Sequence, residues 1–347
     1  MKKVKWGVLG AGGIADRRTI PGMMLSENAE LVAVMEINPE FAESLRAKYN
    51  AKRAYTDEDA LLNDPEVEAV YISSPVVCHA RQCEKAIAAG KHILVEKPLG
   101  MTAAESEAIC AKAREKGVKM ATGLMMRYNT YHQAIRDMIA EGKLGKIVSC
   151  HAQFTCWYPD MENCWRQDKK LAGGGAMTDM GIHCLDLLEY LTDSEIVRVA
   201  GMKDTMTFSY NVEDACSALF KLSCGAFGTV DANFNIPDDA AKCRLEIYGT
   251  AGSVRAEGSL GQVDGGDVLV TFSDPTLGYS AIQDRSASND QKLSGAEANL
   301  YEREITSFGE SILNGRKIEV PAEAAAHVQK VIEAIYESSD TGKYIEL

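Results

Sequence analysis

The chain reads as a parallel-sheet α/β domain over residues 1–123, followed by an α+β domain over 124–347. Three observations predict this. At 347 residues the chain is too long for one simple core. Up to Gly123, short apolar runs alternate with helical periodicity, the pattern of right-handed βαβ crossovers. Beyond Gly123, strand patterns follow one another through hairpin-like turns.

In the first part, residues 4–9, 31–35, 69–73, 92–95 and 120–122 are buried strands, because continuous apolar runs suit strands covered on both faces. Residues 39–49, 76–89 and 102–116 carry helical periodicity, and Gly90 and Gly117 stand where helices must stop. In the second part a helix is predicted over 131–141. Strands are predicted over 146–155, 197–203, 215–222, 226–235, 242–248 and 253–257, with turns at Ser223-Cys224-Gly225 and Gly249-Thr250-Ala251-Gly252. Residues 258–295 shift to Gly, Ser and Asp and read as loop-rich surface with short strands at best, a candidate part of an interface. Helices over 296–314 and 322–339 close the chain.

Hydrophobic residues at 46% and charged residues at 25% supply ample core for a soluble globular protein. The net charge of −13 argues against nucleic acid or anionic membrane as the main partner, since both require a basic surface. The apolar run after Lys2, Lys3 and Lys5 is broken by glycines and stops at Asp16-Arg17-Arg18, too short for a signal or membrane helix. The ten cysteines show no C-x-x-C spacing, so reduced thiols are expected, with no disulfide and no metal site. The chain reads as cytoplasmic.

The first strand ends in Gly10-Ala11-Gly12-Gly13-Ile14-Ala15, a G-x-G-x-x-A turn between strand and helix, as a dinucleotide fingerprint requires. Gly10 allows the tight turn, Gly12 lets backbone approach a pyrophosphate, and Ala15 lets the helix pack close. The phosphates then meet a helix N-terminus. Glu36 ends the second strand, where a carboxylate takes ribose hydroxyls and repels a 2′-phosphate, which favours NAD over NADP. Ser73-Ser74-Pro75 follows the third of these strands and faces the crevice at its carboxyl end. His79, one turn into the next helix, is read first as a structural hydrogen-bonder and second as a cofactor contact. Glu96-Lys97-Pro98 ends another strand, and a lysine there could stabilise a developing alkoxide.

The run from Gly173 to Asp186 reads Gly-Gly-Gly-Ala-Met-Thr-Asp-Met-Gly-Ile-His-Cys-Leu-Asp. On an α-helix the spacing stacks Asp179, His183 and Asp186 along one face, so that a carboxylate orients an imidazole for acid–base work. Taken alone, the run serves equally as an ordinary helix start, with Asp179 in the first turn and His183 half-buried.

Taken together, these residues resemble the glucose–fructose oxidoreductase/inositol dehydrogenase/rhizopine-catabolism (Gfo/Idh/MocA) family over nearly the whole chain. The resemblance rests on the fingerprint, Ser74-Pro75 with His79, Glu96-Lys97-Pro98, Met126-Arg127-Tyr128-Asn129, Trp165-Arg166, and Asp179-x-x-x-His183. It implies an N-terminal Rossmann domain and a C-terminal domain with a large open, mostly antiparallel sheet, with the last helix packed back on the Rossmann domain. It further implies NAD held by Gly10, Gly12, Gly13, Ile14, Ala15, Glu36, Ser73, Ser74, Pro75, His79, Glu96, Lys97 and Arg166. The catalytic group would be Lys97, Asp179 and His183, with Asp186 as support. Arg127, Tyr128, Trp165, Asp179 and His183 would meet the substrate. No metal is implied. A homo-oligomer, dimer or tetramer, is expected through the outer face of the sheet.

The function expected is hydride transfer between NAD and a secondary alcohol of a sugar, cyclitol or glycoside. Two alternatives stand beside it: transient oxidation of a glycoside at C3 with recycled NAD, and a non-catalytic NAD- or sugar-sensing regulator.

Overall fold

The computed structural model describes residues 2–262, 264–274, 276, 278–279, 281–282, 289–295 and 298–347. It comprises two compact units. The first holds Met1–Met125, Asn163–Gly173 and Asn299–Lys330, and the second Met126–Glu162, Gly174–Ala298 and Val331–Leu347.

In the first unit six strands form one sheet: β1 (Val4–Leu9), β2 (Ala29–Met35), β3 (Arg53–Tyr55), β4 (Ala69–Ile72), β5 (His92–Glu96) and β6 (Met120–Gly123). All pair in parallel, in the order β3-β2-β1-β4-β5-β6. The order reverses between β1 and β4, the switch point beside which open α/β sheets bind ligands at their carboxyl edge. Helices α1 (Ile20–Leu25), α2 (Pro39–Tyr49), α3 (Glu58–Leu62), α4 (Val76–Ala88) and α5 (Ala103–Lys116) connect the strands. The caps follow from sequence: Asn38, Asp57 and Thr102 each accept a backbone N–H at a helix start. Gly90 and Gly117 leave their helices in the left-handed conformation, at φ 71° and 72°. Trp6 and Tyr71 are fully buried, and the Trp6 ring lies 5.9 Å from that of Phe308 in a later helix of the same unit.

The second unit is built on a nine-stranded sheet. Its strands are β7 (Ile147–Thr155), β8 (Ile196–Asp204), β9 (Ala215–Leu222), β10 (Phe227–Asn233), β11 (Arg244–Gly249), β12 (Gly252–Glu257), β13 (Asp267–Phe272), β14 (Asp290–Lys292) and β15 (Ile345–Glu346). The order is β14-β13-β12-β11-β7-β10-β9-β8-β15, antiparallel except where β7 meets β10. Burial alternates along β9 and β10, so one face is covered and the other open. Helices α6 (Thr130–Ala140) and α8 (Ile182–Thr192) belong here; α7 (Lys169–Ala172) and α9 (Leu300–Asn314) belong to the first unit, and α10 (Ala322–Thr341) contributes to both.

The element bounds depart from expectation in several places. The region read as loop contains β13, whose Val268 and Val270 alternate into the core within a Gly- and Asp-rich stretch. The helix expected over 296–314 starts at Leu300, capped by Asn299, while positions 296 and 297 lie outside the described residues. Two helix entries are π turns, Ala15–Thr19 and Met177–Gly181, which hydrophobic periodicity does not signal.

Candidate active site

At the end of β1 the chain turns through Gly10 and Gly13, both left-handed at φ 72° and 57°. A Cβ on Gly10 would lie 2.8 Å from the Ser74 backbone nitrogen, so the turn admits only glycine. The Gly12 N–H donates to Glu36 Oε1 at 2.7 Å, which fixes the carboxylate beside the turn. Ile14 is helical and Ala15, wholly buried, opens the π turn. The Ser73 hydroxyl donates to the Gly10 carbonyl at 2.9 Å, tying the β4 turn to the β1 turn.

Pro75 starts α4, and His79, 1% exposed, sits one turn in. Its Nδ1 lies 2.8 Å from the Pro98 carbonyl and its Nε2 2.8 Å from the Ser74 carbonyl. The ring therefore ties the Ser74 turn to the turn that carries Lys97. Burial, with the cations Lys97 and Arg166, holds its pKa below the ordinary value, against the pull of the two carbonyls. Glu96 ends β5. It accepts a short hydrogen bond from the Tyr71 hydroxyl and one at 3.3 Å from the Lys97 N–H, and Tyr71 in turn accepts from Thr19 at 2.8 Å. Burial raises the Glu96 carboxyl, opposed by Tyr71, Lys97 and Arg166. Arg166, in a short 3₁₀ turn, also lies over the Trp165 ring at 4.2 Å. Burial also holds Tyr71 and the deeper carboxyl of Glu304 well above their ordinary values.

The second unit holds the remaining candidates. Arg127 is 8% exposed and grips Asp186 through Nε at 2.9 Å and Nη2 at 2.5 Å, its guanidinium 5.0 Å from the Tyr190 ring. Arg127 is thus engaged in a buried two-point ion pair, and Tyr128 beside it is buried as well. Asp186 supports the fold through that pair.

The glycine run is used differently from the one at Gly10. Gly173 ends α7 in a left-handed turn. A Cβ on Gly175 would lie 2.0 Å from the Glu213 carbonyl, and one on Gly174 2.4 Å from the Tyr336 hydroxyl. Close approach of backbone and side chain demands these glycines. The π turn that follows carries Asp179, half-buried, into α8, where His183 is 4% exposed and meets the Phe154 ring edge-on at 6.1 Å. The α-helical spacing expected for Asp179, His183 and Asp186 holds only in part: the step from Asp179 to His183 passes through the π turn, while His183 and Asp186 lie three residues apart within α8, where Asp186 meets Arg127. Sequence reasoning passed over Tyr71 beside Glu96 in the first unit, and Glu213 and Tyr336 beside the glycine run in the second, because these contacts join residues distant in sequence.

Among the described residues no group of three His, Cys, Asp or Glu side chains is placed to hold a metal. The ten cysteines are free thiols. No helix of the described residues is long and apolar enough to cross a membrane.

A parallel sheet of this order, with a glycine turn after β1 and an acidic side chain held against Gly12 from the end of β2, defines a dinucleotide-binding oxidoreductase unit. Comparison with known proteins agrees. Residues 4–124 match the oxidoreductase family's NAD-binding Rossmann fold, and residues 132–255 the GFO/IDH/MocA C-terminal domain. The chain belongs to the GFO/IDH/MocA oxidoreductase family. It is 29% identical to the 1,5-anhydro-D-fructose reductase of Ensifer adhaerens, over 89% of this chain and 88% of that protein. It is 28% identical to the D-xylose 1-dehydrogenase (NADP(+)) 2 of Haloferax volcanii, over 99% of each. The crystal structure of aldose-aldose oxidoreductase from Caulobacter crescentus, complexed with glycerol, superposes with a TM-score of 0.89 at 25% identity and full coverage of both chains.

Proposed function

We propose that this enzyme transfers a hydride between NAD and a secondary alcohol of a small carbohydrate, cyclitol or glycoside. The observation that carries the reading is the position of Lys97. It stands at the carboxyl end of β5, and its turn is tied through His79 to the Ser74 turn beside Gly10. The relatives named for sugars support the substrate class.

The glycine turn fits NAD, because Gly10 and Gly13 free the backbone to approach a pyrophosphate and Glu36 is fixed to meet the ribose. Ser73, Ser74, Pro75, Glu96 and Arg166 would also hold the cofactor, and Trp165 would meet the substrate. When bound, NAD supplies the hydride acceptor. In this reading His183 takes the proton from the hydroxyl being oxidised. Lys97 hydrogen-bonds the same oxygen and stabilises its developing negative charge, while Asp179 orients the pair. Arg127 and Tyr128 support the substrate side from within the fold, and the substrate partner is a small-molecule carbohydrate or glycoside.

The test is a screen of the purified protein with NAD, then NADP, against aldoses, polyols, inositols and plant glycosides, following net formation of reduced cofactor. Lys97→Ala and His183→Ala are expected to lose turnover by at least about a hundredfold while NADH binding stays within about threefold. Turnover near wild type in either variant would remove the roles assigned here. Turnover of substrate without net NADH would point instead to recycled cofactor.

A further inference from the structure

The helix entry that carries Asp179 and His183 is held by a single residue from another part of the chain. Glu213 lies in the segment between β8 and β9 and is 8% exposed. Its Oε2 accepts from the Gly175 N–H at 2.8 Å, and its backbone carbonyl accepts from Ala176 at 3.0 Å. Its Oε1 accepts from Met177 at 3.0 Å. Three consecutive backbone donors at the start of a helical segment, groups with no partner of their own within it, are thus satisfied by one residue. A fourth donor, the Tyr336 hydroxyl, reaches Oε1 at 2.5 Å and lies 2.8 Å from the Thr178 hydroxyl, next to Asp179. Every one of these side-chain contacts asks the carboxyl group to accept, which favours the ionised form against the burial that raises its pKa. The glycines fit the same account, since a side chain at 175 would collide with the Glu213 carbonyl.

We propose that Glu213 is a positioning residue for the reaction: with Tyr336 it clamps residues 175–178 and thereby fixes Asp179 and His183 one turn further on. The carboxylate stands where a helix N-terminus would otherwise attract an anion from solution, so this glycine run serves the protein's own side chain and binds no phosphate. The proposal rests on the functional reading above, and it deepens that reading by naming what aims the acid–base pair. A misplacement of a fraction of an ångström at the reacting atoms lowers the rate of the chemical step and leaves cofactor binding alone.

The experiment compares wild type with Glu213→Gln and Tyr336→Phe, using the carbohydrate best turned over in the screen. Glu213→Gln keeps the shape but turns an amide toward backbone donors. Tyr336→Phe removes one donor and keeps the ring, so it remains informative if the first variant folds poorly. The expected result is a kcat lower by about ten- to a hundredfold in Glu213→Gln, and by less in Tyr336→Phe. KM for substrate and Kd for NADH should each change by less than about threefold. A primary isotope effect from deuterium at the oxidised carbon should be larger than in wild type. Hydrogen exchange in the peptide spanning 174–184 should quicken while that of β1 and β4 does not. Unchanged kcat together with unchanged exchange in both variants would overturn the proposal, as would a kcat loss that only tracks the folded fraction. If the wild type turns over nothing in the screen, the functional reading fails. Exchange, which needs no substrate, then decides by itself whether Glu213 holds the segment.

Discussion

At the scale of single residues, the polar groups of this fold divide by what surrounds them. Glu36 is held by the Gly12 N–H, so making room for a 2′-phosphate would cost that hydrogen bond. Binding titrations should therefore show NADP weaker than NAD by about tenfold or more, and equal affinities would refute the role given to Glu36. Glu304 presents the opposite case. It is 1% exposed, neither carboxyl oxygen has a hydrogen-bond partner, and burial and Glu96 push its pKa well above the ordinary carboxylate value of 4.5. The folded protein keeps a proton that the unfolded chain loses, so stability falls as pH rises above about 4.5 toward that raised pKa. Glu304→Gln carries no such proton. Its melting temperature relative to wild type should be higher at pH 8 than at pH 5, and a difference independent of pH would contradict the assignment. Of these residues the sequence made Glu36 legible, because it sits at a fixed place in a strand–turn–helix pattern. Glu304 gave no signal, since a glutamate on a helix reads as surface until the packing of that helix is known.

At the scale of elements, the longer parallel strands and helices α2, α4 and α5 of the first unit were legible to within a residue or two. Strands buried on both faces form apolar runs, and the helices between them carry their own caps. Arg53-Ala54-Tyr55, a three-residue edge strand with no buried residue, had no such pattern to show. The π turn at Met177–Gly181 was hidden for a different reason. Its residues keep α-like spacing in sequence while the backbone adds width, so only the His183-to-Asp186 step of the predicted row is α-helical, and the step from Asp179 to His183 passes through the wider turn. The Arg127–Asp186 pair joins the Met125–Tyr128 turn to α8, with side chains 10% and 2% exposed. Breaking such a pair leaves a buried charge alone. Arg127→Ala should cost about 3–5 kcal/mol in urea unfolding, and a loss below about 1 kcal/mol would show that the pair does not hold these elements together.

At the scale of the whole molecule, the succession of an α/β and a mostly antiparallel architecture followed from the change of grammar after Gly123. The extent of the nine-stranded sheet did not, because β13, β14 and β15 are short or set in polar sequence. That sheet leaves Met202, Leu219 and Phe227 at 79%, 46% and 57% exposure, which supports the proposal of a homo-oligomer, dimer or tetramer, formed through its open face. Sedimentation should give a multiple of 37.7 kDa for wild type and a smaller species for Leu219→Asp with Phe227→Asp. A wild-type monomer at micromolar concentration would remove that proposal. The central claim is hydride transfer to NAD with His183 as the proton acceptor, and one measurement meets it most directly. Purified wild type and His183→Ala, both shown to bind NADH, are mixed with NAD and the carbohydrate panel, and reduced nicotinamide is followed. NADH should accumulate with at least one carbohydrate in the wild type and not in the variant. Tight NADH binding with no NADH formed from any member of the panel, or equal formation by the variant, would contradict that claim.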